Sequence, residues 1–201
     1  MSRRRRLSNP YKRPDRFTQK AKADGFSARS VFKLEEIDRR FQLVPSAGRV
    51  LDLGCAPGSW SQYVARKGRG HETLVGLDIQ EVGSYPGTFV QRSILDTSPE
   101  ELGALLGGPA DLVLSDMAPH TTGNRLTDHV AQLELAQMAL RCATTILRPG
   151  GNFVVKVFDG EDAHAYVLDV RKHFARARRV KPKATRENSV EFFLLGMGFQ
   201  G

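Results

Sequence analysis

The chain has 201 residues, of which 40% are hydrophobic and 26% charged, and only two are cysteines. These proportions predict one globular domain with a substantial core, and they exclude a disulfide scaffold or a four-cysteine zinc site. The sequence has no apolar run of about 18 residues, as a membrane span requires, and no signal-peptide core follows the first arginines. We therefore expect a cytoplasmic protein with no membrane association and no metal site.

The positive charge of the chain is concentrated at its N-terminus. Residues 1–22 contain nine Lys or Arg and one acid, a net charge of +8 that equals that of the whole chain. A second basic segment, residues 171–186, has eight Lys or Arg and no acid. Two basic segments beside a neutral body indicate a polyanionic partner, most simply nucleic acid. A solubility tail and a mitochondrial presequence are alternatives, although Pro10 and Pro14 oppose the amphipathic helix of a presequence.

The first predicted elements are an arm and a helix. Residues 1–25 are polar, basic and interrupted by prolines, so we interpret them as a flexible N-terminal arm. The rest of the chain, residues 26–201, is predicted to be a single domain. It begins with a helix that Ser27 could cap and that runs to about Phe41, with apolar residues at helical spacing.

An alternation of strands and helices follows. The predicted strands are 49–53, 73–78, 88–91, 111–116, 152–158, 179–183 and 190–197. The predicted helices between them are 59–67, 99–106, 126–147 and 161–174. One apolar stripe of the longest helix comprises Leu126, Val130, Leu133, Leu140, Ala143 and Leu147. This order predicts an α/β fold with a mostly parallel, seven-stranded sheet and helices on both faces, in which ligands bind beyond the carboxyl ends of the strands.

The first predicted strand leads into a glycine-containing turn. Gly54 and Gly58 allow the backbone to approach a ligand closely, and Asp52 before them suits a cationic group better than a pyrophosphate. Asp78 ends the next strand, where a carboxylate can accept both ribose hydroxyls of an adenosine. An adenosine ligand with a positive end is S-adenosyl-L-methionine, whereas the turn lacks the Gly-x-Gly-x-x-Gly spacing of nicotinamide sites. Trp60, the one tryptophan, could be a core anchor as readily as a cofactor wall.

Four charged residues break the local pattern. Lys156 and Glu191 lie within apolar strands, although lysine is almost never fully buried without a partner. Asp116 ends a strand, and Lys33 flanks the apolar stripe of the first helix. The structural interpretations are a buried Lys156–Glu191 ion pair, a helix N-cap at Asp116 and a solvated helix face at Lys33. Because local rules fail at several strand ends together, we favour a functional site.

Five segments occur in a distinctive order: 32–34 (FKL), 52–62 (DLGCAPGSWSQ), 115–119 (SDMAP), 153–158 (FVVKVF) and the late Glu191. They resemble the FtsJ/RrmJ family of S-adenosylmethionine-dependent 2′-O-ribose methyltransferases of 23S ribosomal RNA, and the resemblance covers roughly residues 20–198. It implies a Rossmann-like methyltransferase fold with S-adenosylmethionine as cofactor. The implied catalytic tetrad is Lys33, Asp116, Lys156 and Glu191, with Lys156 as the principal lysine. The implied cofactor contacts are Gly58, Trp60, Asp78 and Asp116.

The sequence departs from the family pattern at two places. The family usually has an aspartate near the adenine amine after the third strand, and that position here is Ser93. Asp96, three residues later, is the other candidate for this cofactor contact. The residue after the Asp-Met-Ala-Pro run is often Asn in the family and is His120 here, which we interpret as a neutral loop substitution.

The resemblance implies methylation of a ribose 2′-hydroxyl, expected on a uridine, in ribosomal RNA within the large (50S) subunit, by a monomeric enzyme of ribosome biogenesis. Two roles remain open for Lys156. It could act as a base, for which it has to be neutral, or as a cation that orients the lone pair of the 2′-oxygen. Burial and the charge of Lys33 favour the neutral form, whereas Asp116 and Glu191 favour the charged form. Rival functions are methylation of tRNA or of an mRNA cap, a non-catalytic RNA-binding ribosome-assembly factor, and a nicotinamide dehydrogenase.

Overall fold

The computed structural model describes residues 15–68, 73–120 and 122–201, and seven strands in this part of the chain form one sheet. The strands are β1 (Arg49–Leu53), β2 (Thr73–Asp78), β3 (Thr88–Gln91), β4 (Ala110–Ser115), β5 (Leu147–Phe158), β6 (Phe174–Val180) and β7 (Glu191–Phe199). Their spatial order is β3-β2-β1-β4-β5-β7-β6. Strands β1 to β5 are parallel, whereas β7 runs antiparallel to both of its neighbours. The predicted α/β architecture with a mostly parallel sheet is confirmed.

Six α-helices accompany the sheet in the described part. They are α1 (Arg16–Ala23), α2 (Val31–Phe41), α3 (Ser59–Lys67), α4 (Pro99–Leu106), α5 (Arg125–Ile146) and α6 (Ala163–His173). Helices α4, α5 and α6 pack on one face of the sheet, and α2 and α3 pack on the other. Strands buried on both faces need apolar residues throughout, which explains the nearly continuous apolar runs of β1, β4 and β5. No described helix is long and apolar enough to cross a membrane.

Helix α1 lies within the range that the sequence predicted to be a flexible arm. The Asp15 carboxylate caps this helix by accepting from two N–H groups of its first turn. Ala21 is buried against α2, and the ring of Phe17 lies 5.8 Å from that of Phe32. The end of the predicted arm is therefore helical and packed on the domain, while residues 1–14 lie outside the described residues.

The apolar stripe predicted for α5 is wrong over its first two turns. Leu140 and Ala143 are buried as expected, but Leu126 is 70% exposed and Val130 is 55% exposed. In these turns the described side chains that are buried are those of His129 and Gln132, and Gln132 bonds to the backbone at the end of β5. The buried face of the helix is therefore rotated away from Leu126 and Val130.

Several predicted boundaries also shift. The first domain helix begins at Val31 with Ser30 at its N-cap, instead of at a cap formed by Ser27. The basic strand predicted over residues 179–183 is β6, which starts at Phe174 because this buried ring pairs with Phe199. For the same reason helix α6 ends one residue earlier than predicted.

Candidate active site

The four tetrad residues lie on one face of the sheet, at its carboxyl edge. Lys156 on β5 is in register with Phe193 on β7, and Glu191 precedes Phe193 by two residues. Because alternate residues of a strand point to the same face, these three side chains share the face covered by α2 and α3. Asp116 directly follows β4, where its N–H still donates to the end of β1. Lys33 reaches the same place from α2.

The tetrad forms two ion pairs. Lys156 Nζ lies 3.0 Å from Asp116 Oδ1 and donates to the Asp116 backbone carbonyl at 2.7 Å. Lys33 Nζ donates to Glu191 Oε1 at 2.5 Å and lies 5.4 Å from the centroid of the Phe193 ring. The buried lysine therefore pairs with Asp116 rather than with Glu191, and Lys33 lies in a nearly buried ion pair rather than on a solvated helix face. No helix begins at Asp116, which excludes the N-cap interpretation.

Gln132 fixes the backbone next to Lys156. Its Nε2 donates to the carbonyl of Lys156 at 2.6 Å, and its Oε1 accepts from the N–H of Phe158 at 3.0 Å. The side chain is buried, so both polar ends are satisfied by the strand that carries the lysine. Sequence reasoning missed Gln132, although a polar residue inside the apolar pattern of α5 was a visible signal.

A cluster of carboxylates surrounds the turn after β1. Asp52 is fully buried; its Oδ2 accepts from the hydroxyl of Ser61 at 2.5 Å, and its Oδ1 has no hydrogen-bond partner. Burial, together with the negative charges of Asp116 and Asp78, raises the pKa of Asp52 to about 7. An unsatisfied carboxylate oxygen among like charges is the environment that a cationic ligand relieves.

The turn itself passes close to the segment after β4. Gly54 has φ +72°, and a Cβ at this position would lie 2.6 Å from Met117 Cγ and 2.9 Å from the Met117 backbone. Its N–H donates to the carbonyl of Leu77 at 2.8 Å. Gly58, with φ +100°, leads directly into α3. Glycine at position 54 therefore keeps the turn flat against the segment that carries Asp116.

Asp78 is held rigidly at the end of β2. Its Oδ2 accepts from the N–H of Ala56 and its Oδ1 from the N–H of Gln80, both at 2.8 Å. Each oxygen keeps a second lone pair, so the carboxylate can still accept two ribose hydroxyls. Two large apolar side chains near this edge, Ile79 and Leu95, are more than half exposed. Sequence reasoning missed both, although Ile79 directly follows the strand-ending acid.

The two candidate adenine contacts differ in their surroundings. Ser93 is the N-cap of a short 3-10 turn, Ile94–Asp96, and its hydroxyl accepts from the N–H of Leu95 at 3.1 Å. The Asp96 side chain is exposed. The Ser93 hydroxyl is thus already engaged in capping, whereas Asp96 has a free carboxylate toward solvent. His120 is also exposed, in the loop that follows Asp116.

Trp60 is a core anchor. Its indole N–H donates to the carbonyl of Ser30 at 2.8 Å, its ring lies 5.5 Å from that of Phe193, and it is almost fully buried. The ring therefore holds the start of α2, the helix of Lys33, against the sheet. The backbone N–H of Trp60 lies in the first turn of α3, where it has no partner within the helix, so this group can still contact a cofactor.

The described residues contain no group of three or more His, Cys, Asp or Glu arranged to hold a metal ion. The site therefore offers two lysine–carboxylate pairs, a buried acid next to a tight turn, and a rigid acid with apolar neighbours. Together these groups can bind a nucleoside that carries a positive charge and present an ammonium group to a second ligand.

Comparison with known proteins identifies the class. Residues 26–199 match the FtsJ-like methyltransferases, and the chain belongs to this family, as its motifs predicted. It is 43% identical to ribosomal RNA large subunit methyltransferase E of Rhodopseudomonas palustris (strain TIE-1), over 98% of this chain and 83% of that protein. It is 45% identical to the protein of the same name from Sorangium cellulosum, over 94% of this chain and 90% of that protein.

A solved structure shares the fold. The crystal structure of a ribosomal RNA methyltransferase from Plasmodium falciparum superposes with a TM-score of 0.78 and 25% sequence identity. The match covers 88% of this chain and all of the other. The methyltransferase fold expected from the motifs is therefore confirmed.

Proposed function

We propose that this protein transfers the methyl group of S-adenosylmethionine to a ribose 2′-hydroxyl, expected on a uridine, in the RNA of the large ribosomal subunit. The observation that carries the proposal is the buried Lys156–Asp116 pair, which lies beside the carboxylate-lined turn after β1. A protein that only bound RNA would have no use for a lysine buried in a central strand at this edge.

The residues present fit S-adenosylmethionine. Asp78 would accept the ribose hydroxyls, while Ile79 and Leu95 would cover the adenine. The positive end of the cofactor would lie near two carboxylates: Asp52, which has an oxygen without a hydrogen-bond partner, and Asp116, which already pairs with Lys156. When bound, the cofactor supplies an electrophilic methyl group attached to a sulfonium sulfur, and the sulfur leaves readily as a neutral thioether.

Lys156 acts in this proposal as an ammonium that orients the ribose oxygen. Its contacts with the Asp116 carboxylate and carbonyl fix the position of Nζ. A 2′-hydroxyl beside the pair accepts from Lys156 and donates to Asp116, which receives the proton as the oxygen is methylated. Alignment of the reacting atoms contributes roughly 7–11 kcal/mol in well-oriented reactions, so positioning is the main contribution expected of the protein.

The Lys33–Glu191 pair supports this arrangement. The pair is neutral as a whole, so Lys33 adds little repulsion to the ammonium of Lys156. It also ties α2 to β7 and closes the side of the site opposite β4. We therefore assign Lys33 and Glu191 to shaping the pocket for the ribose.

The choice of RNA is supported by the relatives, which are named for large-subunit ribosomal RNA, and by the charge of the chain. The experiment is transfer of tritiated methyl groups from S-adenosylmethionine to large subunits from a strain lacking the enzyme, to protein-free 23S RNA and to tRNA. We expect label on the subunits, in a dinucleotide that resists alkaline hydrolysis. Label on tRNA alone, or in an alkali-labile product, would overturn the proposal.

Removing residues 2–14 is expected to weaken RNA binding mainly at low salt. This change deletes six Lys or Arg and no acid, and it leaves helix α1 and its cap in place. Fewer phosphate contacts release fewer counterions, so the plot of log affinity against log salt becomes shallower. The measurement is filter binding to large subunits over a salt series; identical slopes for both proteins would exclude a contribution from this segment.

A further inference from the structure

A second concave site lies next to the tetrad. It is a groove of about 430 Å³, and Glu191 of the tetrad forms part of its wall. The other principal wall residues are Asp159, Arg179, Lys181, Val190 and Phe192. They come from the ends of β5 and β6 and the start of β7, all at the carboxyl edge of the sheet. The mechanism above uses none of these five residues.

Arg179 forms a flat platform in the groove. Its Cζ lies 3.8 Å from the centroid of the Phe192 ring, so the guanidinium contacts the ring face. Its Nη2 donates to Asp159 Oδ1 at 2.7 Å, which fixes the plane of the group. Phe192 is buried, whereas the Arg179 side chain is 46% exposed. One face of the guanidinium is therefore covered by the ring and the other is open to the groove.

The remaining walls provide a cation and an apolar surface. Lys181 Nζ donates to the backbone carbonyl of Ser189 at 2.9 Å, a neutral acceptor that leaves the charge of the ammonium uncompensated. Val190 is 50% exposed, and its carbonyl accepts from the N–H of Asp159. The groove thus combines a stacking surface, a positive charge and an exposed apolar side chain.

The groove also crosses from one face of the sheet to the other. Phe192 packs with the core on the α4–α6 face, whereas Glu191, its neighbour, lies on the tetrad face. A chain that leaves the tetrad over the carboxyl edge therefore reaches Arg179 next. A cavity of this size is within the usual range for sites of small organic groups.

We propose that this groove binds the nucleotide adjacent to the methylated one, with its base stacked on the open face of Arg179 and its phosphate near Lys181. The inference rests on the proposed function. Bases of single-stranded RNA stack on arginine guanidinium planes, and a nucleotide presented to an enzyme has lost stacking in its own helix. If Arg179 served only to keep the edge strand β6 from pairing with another chain, its guanidinium would not need to lie on the Phe192 ring or to be held in one plane.

The test compares Arg179→Ser and Arg179→Lys with Arg176→Ser. Arg176 is exposed on the same strand but points to the opposite face and lies three residues further from the carboxyl edge. We measure kcat and KM on undermethylated large subunits, and the affinity for fluorescein-labelled octauridylate by anisotropy. Both Arg179 variants are expected to raise KM and the octauridylate Kd roughly 10- to 100-fold, because they lose one stacked base. Their kcat and their affinity for S-adenosylmethionine are expected to change less than about twofold.

The lysine variant separates stacking from charge. It keeps the positive charge, so its salt dependence should equal that of the wild type while its affinity stays low. Full rescue by lysine, or equal losses for Arg179→Ser and Arg176→Ser, would overturn the inference. If the wild type binds octauridylate but methylates no ribosomal RNA, the proposed function fails. The octauridylate affinities of the variants then still show whether the groove binds a nucleotide. If the wild type binds neither octauridylate nor large subunits, the groove inference is overturned as well.

Discussion

Replacing Lys156 with alanine is expected to lower kcat roughly 10²- to 10³-fold, the usual cost of removing one preorganised hydrogen-bond donor from the reacting atoms. The ammonium group contacts Asp116 and lies in the tetrad, whereas the groups that would hold the adenosine are at the ends of β2 and β3. Affinity for S-adenosylmethionine should therefore remain within about threefold, since no cofactor contact is assigned to the lysine. Single-turnover methyl transfer and calorimetry of cofactor binding measure the two quantities separately.

A matched control and a second variant complete this experiment. Lys172→Ala removes an exposed lysine that pairs with Asp169 on α6, and it should leave both quantities unchanged. Lys156→Arg keeps a permanent charge, so it should retain measurable turnover if the residue orients the oxygen. Complete loss of turnover in the arginine variant, with a normal thermal unfolding curve, would favour the base role instead. Loss of cofactor binding in the alanine variant would assign Lys156 to structure.

The four charged residues of the site were visible in the sequence because they break the local pattern, while the family resemblance implied their role as a tetrad. A lysine inside an apolar strand and an acid inside another are visible in the sequence without any knowledge of the fold. Their common location followed from the α/β pattern, since the carboxyl ends of the strands meet at one edge. The pairing was not predictable: whether Lys156 meets Asp116 or Glu191 depends on how α2 lies over β7, and that contact is distant in the sequence.

The features that sequence reasoning missed or left open depend on tertiary contacts. The sequence left Trp60 open as a core anchor or a cofactor wall, and its burial depends on Ser30 at the N-cap of α2 and on Phe193 in β7. The stacked Arg179 requires an antiparallel β7 beside β6, whereas the sequence showed only a basic strand. Likewise, the apolar pattern of α5 placed Leu126 and Val130 on the buried face, whereas the polar residues His129 and Gln132 occupy that face in the structure. Periodicity reports the direction of a side chain and not what lies opposite.

The Asp52→Asn variant is expected to unfold at a higher temperature than the wild type at pH 8, in the absence of ligand. In the folded protein the pKa of Asp52 is about 7, against 3.8 for an ordinary aspartate, because of burial and of Asp116 and Asp78. Between these two values the folded state keeps a proton that the unfolded state has lost. Stability due to this group therefore falls as the pH rises from about 4 to 7 and stays lost above 7.

Asparagine removes this penalty, since it has nearly the same shape and stays neutral at every pH. Its amide oxygen can still accept from the Ser61 hydroxyl, which in turn contacts the hydroxyl of Tyr85. At pH 8 the free energy of unfolding of the variant is expected to exceed that of the wild type by about a few kcal/mol. This difference should shrink toward pH 4, where the wild-type carboxyl is also neutral. Thermal unfolding of both proteins at pH 4.5, 6, 7 and 8 gives the comparison.

The same substitution is expected to weaken binding of S-adenosylmethionine, so stability and affinity should change in opposite directions. A carboxylate that costs stability when no ligand is bound becomes favourable when a cation is near, because the charge then has a partner. Wild-type affinity, measured by calorimetry, should rise as the pH passes through about 7, whereas that of the variant stays flat. Ser98→Ala, at the α4 cap, is the control: it lowers stability without altering this pH dependence. A variant that is less stable at pH 8, or one that binds the cofactor as tightly as the wild type, would show that Asp52 only supports the turn.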